Sequence, residues 1–293
     1  MNIQRSFAQE QGHPSTGKGT LYIVGTPIGN LEDMTFRAIR VLREADWIAA
    51  EDTRQTRKLL THYDIQGRLV SYHEHNKQAS GSELIAKLLA GQSVALVSDA
   101  GMPAISDPGE DLVRLAIDQA IPVVPVPGPS ASISALVISG LPTAQFRFAG
   151  FLPREKKKCK QVLQELANEK ATLIVYEAPH RVKSTISMML EVWGDRRLAL
   201  IRELTKRYEE AARGMLSELL AHLEDYPPKG EYCLVVEGAT VSAVSEATTW
   251  WSSLSIAEHV QHYELQGVPR KEALKKAAVD RGVPKREIYN QLI

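Results

Sequence analysis

The sequence predicts an α/β protein, two α/β domains followed by a small all-helical module of helix-turn-helix type, and three observations carry that prediction. Short β-rich apolar runs alternate with amphipathic stretches from Thr20 to about Gly238, which is the pattern of strands covered by helices. A break at Pro142-Thr143 divides the alternation in two, as expected when a chain of 293 residues exceeds what one core usually supports. Beyond Trp250 the texture changes to helix alone.

Taken in order, residues 1–19 (MNIQRSFAQEQGHPSTGKG) lack the apolar run of a signal peptide, and their Gln, Gly and Ser content reads as a mobile tail. The first domain, 20–141, runs through the strand-like segments TLYIVG, DWIAAE, RLVSYH, SVALVSD and PVVPVPG, separated by helix-like MTFRAIRVLREA, TRQTRKLLTHY, ELIAKLLA and EDLVRLAID, and ends in the small-residue run SASISALVIS. The second, 142–238, reads as strands QFRFAGF, TLIVYE, RLALIRE and EYCLVVEG, with helices KKKCKQVLQELANE, VKSTISMMLEVW and LSELLAHLED between them. Residues 239–250 are small, polar and without period, hence a linker. In the module at 251–293, Gly267-Val268-Pro269-Arg270-Lys271-Glu272 recurs as Gly282-Val283-Pro284-Lys285-Arg286-Glu287. Each copy has Gly where one helix would end and Pro where the next would begin.

Composition narrows the function. With 44% apolar and 24% charged residues the chain is an ordinary globular protein, and 35 Lys/Arg against 35 Asp/Glu leave it neutral. No global field draws it to a polyanion, so a nucleic-acid partner must be met by local basic patches. Cys159 and Cys233 share no metal-ligand spacing with histidines, so no metal is expected. No segment approaches a membrane-spanning apolar length, and a soluble cytoplasmic protein without a membrane partner is the expectation.

Four turns follow strand-like runs in the first domain: Gly25 to Asn30, Glu51 to Arg54, Ser98 to Pro103 and Pro127 to Ala131. In open parallel sheets such turns lie along one edge, where ligands bind. One Gly/Pro turn is more often structural than functional, but four that carry acids, hydroxyls and glycines at one edge should line a common crevice. Glycine admits close backbone approach, and Asp99 can bond ribose hydroxyls or face a cation. None of the turns is a dinucleotide or P-loop fingerprint.

These residues resemble the tetrapyrrole methylase-like (class III) S-adenosylmethionine-dependent methyltransferases, and within them the branch that acts on small-subunit ribosomal RNA. The resemblance rests on Leu21 to Leu31 (LYIVGTPIGNL), Ala50 to Arg54 (AEDTR), Val97 to Gly101 (VSDAG), Ser106 to Gly109 (SDPG) and Pro127 to Ala131 (PGPSA). It continues through Gly150 to Pro153 (GFLP), Tyr176 to Arg181 (YEAPHR), Arg202 to Lys206 (RELTK) and Lys229 to Glu231 (KGE). It implies a cofactor cleft between the two α/β domains that holds S-adenosyl-L-methionine, a homodimer, and rRNA methylation at the ribose 2′-hydroxyl of a cytidine in the decoding region of 16S ribosomal RNA, free or in the assembled small subunit. The cofactor site it implies comprises Pro27, Asp99, Ala100, Gly101, Met102, Ser130, Ala131, Tyr176 and Glu177. Met102 departs from the family, which commonly has threonine there; a thioether can pack on the cofactor instead.

Methyl transfer to a hydroxyl requires alignment of the oxygen and removal of its proton. Asp52 and Glu51 are candidate bases, as is Lys206 if burial perturbs its ammonium. Asp52 can equally cap the helix that begins beside it, and Lys206 can hold substrate or bridge to an acid. Arg54, His180 and Arg181 are candidate RNA contacts, Arg181 because an arginine in the motif suits phosphate. The Arg154 to Lys160 run is either a solvated helix start or an RNA-facing loop. Arg270, Lys271, Lys285 and Arg286 fall in first helical turns, where a phosphate would satisfy both amides and side chains. From Val268 onward seven Lys/Arg face three Asp/Glu, a local patch in a neutral protein, although solvated charges on a packing module are nearly as good a reading. Two further classes compete: a methylase of a tetrapyrrole or other small molecule, and a nucleic-acid-binding regulator with a ligand-sensing α/β body.

Overall fold

The computed structural model describes residues 4, 17–239, 251 and 254–292. Apart from residues 4 and 17–19 the tail expected at 1–19 lies outside the described residues, as do the linker beyond Ala239 and the side chain of Lys285. The chain forms two units, one of residues up to 164 with 171–237, the other of 165–170 with the chain from 238 on.

In the first unit, five strands β1 (Leu21–Val24), β2 (Trp47–Ala50), β3 (Leu69–Ser71), β4 (Val94–Val97) and β5 (Val123–Val126) form a sheet ordered β3-β2-β4-β1-β5. Every pairing in it is parallel. The central β4, VALV, is buried at all four positions because helices cover both faces of such a sheet. On one face pack α1 (Phe36–Glu44) and α2 (Thr53–His62) through Ala38, Val41, Leu42 and Leu60, and on the other α3 (Lys77–Leu89) and α4 (Gly109–Asp118) through Leu84, Leu88 and Leu112. The start of α1 is fixed by Thr35, whose hydroxyl accepts from the Ala38 amide at 3.1 Å, and its buried Ala38, Val41 and Leu42 recur at helical spacing.

The second sheet, ordered β6-β7-β10-β8-β9, is mixed rather than parallel. Its strands are β6 (Phe146–Phe151), β7 (Thr172–Glu177), β8 (Arg197–Arg202), β9 (Glu210–Met215) and β10 (Tyr232–Val236). Only β6 and β7 pair in parallel; β10 runs antiparallel to β7 and β8, and β9 antiparallel to β8. The inserted β10 leaves β7 and β8 pointing the same way, so their C-terminal ends still share an edge. The strand β9, EAARGM, escapes the apolar pattern because it is an edge strand with no fully buried residue. Helix α5 (Ala131–Ser139) follows β5 of the first sheet but packs through Ala135 and Leu136 on Ile174, Ala199 and Val235 of the second. The other helices here are α6 (Lys156–Glu165), α7 (Val182–Trp193) and α8 (Leu216–Asp225). The lysine run therefore opens a helix, with Lys158 against Glu155 at 3.1 Å and Lys160 against Glu191 at 2.5 Å.

The second unit is helical: α9 (Ile256–Leu265), α10 (Arg270–Asp280) and α11 (Lys285–Asn290), around a core of Val260, Ala273, Leu274, Ala277, Ala278 and Ile288. Ser255 and Glu258 form a capping box at the start of α9. The repeated glycines end helices with positive φ, 82° at Gly267 and 64° at Gly282. The repeated prolines sit one position earlier than expected, as N-caps with extended ψ of 141° at both Pro269 and Pro284, so Arg270 and Lys285 open the helices. His259, fully buried, meets the Asp280 carboxylate through Nε2 at 3.0 Å while Nδ1 accepts from Arg281 at 3.1 Å.

Candidate functional site

The C-terminal ends of the parallel strands and those of β7 and β8 face one another across a cleft of about 590 Å³ within the first unit, inside the range of roughly 300–1,000 Å³ usual for small-molecule sites. From β1 comes Ile28, from β2 Glu51, from β4 the segment Ser98 to Met102 with Ile105 to Asp107, and from the turn after β5 Ser130 and Ala131. The opposite wall has Phe151 from β6, Tyr176 to His180 from β7, Leu204 and Lys206 after β8, and Glu231 to Cys233 at the start of β10.

Close backbone packing sets the first wall. The turns after β1 and β5 touch: a Cβ on Gly25 would stand 2.7 Å from Gly128 Cα, and one on Gly128 would stand 2.8 Å from Gly25 Cα. Any side chain at either position would force the two backbones apart. The β1 turn is also tied to the β4 turn, with Thr26 and Gly101 exchanging amide–carbonyl hydrogen bonds of 2.9 and 3.1 Å. Asp107 Oδ1 accepts from the amides of Ala104 and Gly109 at 2.8 and 2.7 Å and so folds the rest of that loop.

Backbone strain concentrates at this cleft. Six described non-glycine residues have positive φ, and four of them, Ala104 (69°), Ser106 (66°), Glu203 (50°) and Thr205 (65°), lie in the two loops that wall it. Each costs on the order of 1–3 kcal/mol and is a pointer to function.

Three carboxylates stand on the first wall: Glu51, Asp99 and Asp107. Burial first, and then the like charges of Asp99 and Asp107, raise the Glu51 pKa above the usual carboxylate range, with His73 opposing. Asp52, the neighbour, behaves differently. Its Oδ1 accepts from the Arg54 amide at 2.8 Å as the cap of α2, and its two oxygens also take the Arg54 guanidinium at 3.0 and 2.9 Å. The side chain of Arg54 and its amide hold the Asp52 pKa down at about 2. Of the alternatives open in the sequence, the structure therefore shows the cap, and a carboxylate so acidic is a poor proton acceptor near neutrality. Its amide, in turn, donates to Asp99 Oδ1 at 3.0 Å.

Lys206 is clamped between Glu203 at 2.9 Å and Glu231 at 2.8 Å. Burial lowers its pKa, but hydrogen bonds to Glu231 and Glu203 outweigh that and the net shift is upward. An ammonium so held is a poor proton acceptor, which favours a bridge to its neighbouring acids over a base among the alternatives for Lys206. Burial raises the Tyr176 phenol, against a hydrogen bond with Ser132, and pushes the Cys233 thiol up to about 12.

Of the residues predicted for the site, Glu51, Asp99, Ala100, Gly101 and Met102 line the cleft from one side with Ser130 and Ala131. Tyr176, Glu177, His180 and Lys206 line it from the other. Pro27, Asp52, Arg54 and Arg181 are not among its lining residues. Arg181, expected at a phosphate, is engaged within the protein: its guanidinium donates to the Leu152 and Pro153 carbonyls at 3.1 and 2.9 Å and lies 3.5 Å from Glu177. Its charge is thereby spent on pinning the loop after β6. The Glu177 carboxylate is likewise occupied by the Ala178 amide at 2.9 Å and Thr185 at 2.6 Å, so only its main chain is left to meet a ligand. Arg54 is exposed at 85% and edges a shallow depression on α2 with Arg57 and Lys58. Arg270, Lys271 and Arg286 are exposed on the helical unit, Arg270 lying 3.3 Å from Glu264.

Asp107, Phe151 and Glu231 were missed as site residues, though all three stand inside the motifs SDPG, GFLP and KGE. Thr205, between the lining residues Leu204 and Lys206, has a buried Oγ1 with no hydrogen-bond partner. Among the described residues no group of three or more His, Cys, Asp or Glu is placed to hold a metal, and no helix is long and apolar enough to cross a membrane.

Residues 20–220 match the model of the family described as Tetrapyrrole (Corrin/Porphyrin) Methylases. A Halalkalibacterium halodurans protein called Ribosomal RNA small subunit methyltransferase I is 56% identical over 290 residues, 99% of this chain and 98% of that protein. The Bacillus subtilis (strain 168) protein of the same name is 54% identical over 272 residues, 93% of each. Among solved structures, uroporphyrin-III-C-methyltransferase from Thermus thermophilus superposes with a TM-score of 0.54 at 23% identity over 78% of this chain and 98% of that one. Diphthine synthase gives 0.58 at 15% identity, over 75% and 90% of the two chains. At such identities these structures speak for the fold alone.

Proposed function

The chain belongs to the tetrapyrrole (corrin/porphyrin) methylase family, and from that premise we propose that it methylates RNA of the small ribosomal subunit with S-adenosylmethionine as donor. The observation that carries this reading is where the similarities stop. The family match ends at residue 220, whereas the relatives named for ribosomal RNA cover 93% and 99% of the chain, the latter running on through the helical unit. The finer reading is transfer to the ribose 2′-hydroxyl of a cytidine in the decoding region of 16S RNA, by a cytoplasmic homodimer. Ile133 and Val137, 44% and 67% exposed and four residues apart on one face of α5, support the homodimer, as does Phe36 at 93%. We assign the two α/β domains to 20–141 and 142–238.

The cleft fits the donor. A sulfonium and an ammonium are cations, and the first wall presents Glu51, Asp99 and Asp107, while the lysine opposite is already matched by two carboxylates. Met102, Ile28, Phe151 and Tyr176 offer apolar surface for an adenine, and the glycine turns let main-chain groups approach. When bound, the donor supplies a methyl group activated by positive sulfur. Asp99 binds and orients it, with the main chain of Ala100 to Met102, Ser130, Ala131, Tyr176 and Glu177 around it and Pro27 supporting the β1 turn. Glu51 takes the proton of the attacking hydroxyl, for which a raised carboxylate pKa is suited. Lys206 with its two acids fixes the opposite loop. His180 at the rim and Arg54 outside it face the RNA, with Arg270, Lys271, Lys285 and Arg286 supplying charge from the helical unit.

The test offers methyl-labelled donor with assembled small subunits, naked 16S RNA and a porphyrin precursor. Label should enter RNA and be recovered as 2′-O-methylcytidine after digestion. Label in the porphyrin alone would overturn the reading; label in RNA at a base would overturn the finer one.

A further inference from the structure

A second cavity, of about 460 Å³, lies at the same strand ends as the cleft but on the other face of the second sheet. Strand pleating separates them: Ile201 and Cys233 face α5 and the cleft, while Leu200, Arg202 and Tyr232 contribute to the second cavity, against α8. Tyr232 lines both hollows.

The lining of this cavity is not that of a core defect. His222 and Tyr226, four residues apart at the end of α8, are stacked with ring centroids 4.7 Å apart and planes at 26°. Tyr226 is 65% exposed, so the phenol presents surface to an incoming ring although its inner side is already supported. Around the stack stand Arg202, Lys229 and the Glu210 carboxylate, which accepts from Arg202 at 2.9 Å. Two fixed cations thus face one carboxylate beside an aromatic platform. Single-stranded nucleic acid is bound by this combination, a π-face for the base and positive charge for the backbone.

We propose that this cavity is a nucleotide subsite, which takes the base and phosphate of an unpaired RNA residue flanking the one presented to the cleft. The inference rests on the reading of the protein as an RNA methyltransferase and adds to it a second point of grip across Tyr232. The base stacks on Tyr226, Arg202 and Lys229 meet the phosphate, and Glu210 is placed to accept from an exocyclic amine. The arrangement favours a strand that has left its duplex, because a stacked and paired base cannot reach the phenol.

The experiment measures binding of a fluorescein-labelled single-stranded RNA and of its duplex to the full chain, across a salt series. Tyr226→Ala should weaken single-strand binding by roughly tenfold, leave duplex binding unchanged and leave donor affinity unchanged. Tyr226→Phe, which keeps the ring, should restore binding to within about twofold of the parent. Lys229→Gln should weaken single-strand binding and reduce the salt slope by about one. Parent-like single-strand affinity in Tyr226→Ala would overturn the subsite, as would an equal loss for duplex or a Phe variant as weak as the Ala one. Because binding is read rather than transfer, a chain that methylates no RNA would fail the labelling test while this assay still reports on the cavity.

Discussion

The two walls of the cleft confine the same volume by different means. On the first wall, main chain does the shaping: Gly25 presses on Gly128, Thr26 is bonded to Gly101, and the charged side chains that line it are all acids. On the second wall, side chains do the shaping: Arg181 pins the loop after β6, and Lys206 clamps the loop after β8 between Glu203 and Glu231. The contrast separates charges by use. Arginine and lysine on the second wall are consumed by structure, whereas Glu51 on the first is left with burial and like charges that make it hold a proton more tightly. A group whose ionisation the fold opposes is a candidate for chemistry; one whose ionisation the fold rewards is a strut.

The largest effect should follow from Glu51→Gln. If Glu51 accepts the proton, transfer measured in single turnovers at saturating donor should fall by roughly a hundredfold or more, far more than donor affinity, and the parent's rate should rise with pH through the raised Glu51 value. Stability should move the other way. A folded pKa above the unfolded one means that the fold binds the proton more tightly, so the contribution of Glu51 is present at low pH and lost as pH rises through that value. At neutral pH Glu51→Gln should therefore unfold at a higher temperature than the parent. A slow variant that is also less stable would mean that Glu51 is a strut like the residues opposite, and the contrast between the walls would fail.

Lys206→Met is the matching experiment on the second wall, with a smaller expected effect. It leaves Glu203 and Glu231 facing each other without their cation and should cost on the order of 1 kcal/mol in a urea titration, since the pair is partly open to solvent. Glu203 is held low by the Glu231 amide first and Lys206 after it, so its pKa should rise in the variant. Lys206→Met with Glu203→Gln should recover part of the loss. If Lys206→Met keeps its stability and loses transfer with the pH profile of a missing base, the clamp reading is wrong.

How much of this was legible in the sequence differs between the walls in the same way. A parallel strand buried on both faces announces itself as a continuous apolar run, and its turn as Gly, Pro and acid, so β4 with Asp99 and β2 with Glu51 were readable together. The strand β9 was not, because an exposed edge such as EAARGM needs no alternation, and the antiparallel insertion of β10 leaves no local mark in YCLVV. Residue types showed which side chains carry charge but not which partners they had. Arg181 read as ligand-facing from its motif and Asp52 as equally cap or base, and only three-dimensional placement shows the Leu152 and Pro153 carbonyls that engage the one and the Arg54 fork that engages the other. The prolines of the helical repeat were misplaced by one residue because an N-cap and a first helical residue differ in ψ, which composition does not encode.

The smallest effect is expected at Asp52, directly beside the residue with the largest. Asparagine is as good an N-cap as aspartate, and its side-chain oxygen can accept from the Arg54 amide as Oδ1 now does at 2.8 Å. What Asp52→Asn removes is the charge paired with Arg54, an exposed pair of little worth. At neutral pH the variant should melt only slightly below the parent, bind donor with the parent's affinity because the Asp52 amide still donates to Asp99, and transfer methyl groups at the parent's rate. Acid should erase even the small difference in melting. A folded pKa depressed to about 2 gives stability that is present above the ordinary carboxylate value and lost as pH falls through that depressed value, so the parent should show a slope across that window that Asp52→Asn lacks. Asp52→Ala, which deletes the cap oxygen, should loosen the start of α2 and with it the amide that holds Asp99, weakening donor binding. A full-strength fold with transfer depressed in Asp52→Asn would return Asp52 to the chemistry and make Glu51 its neighbour rather than its replacement.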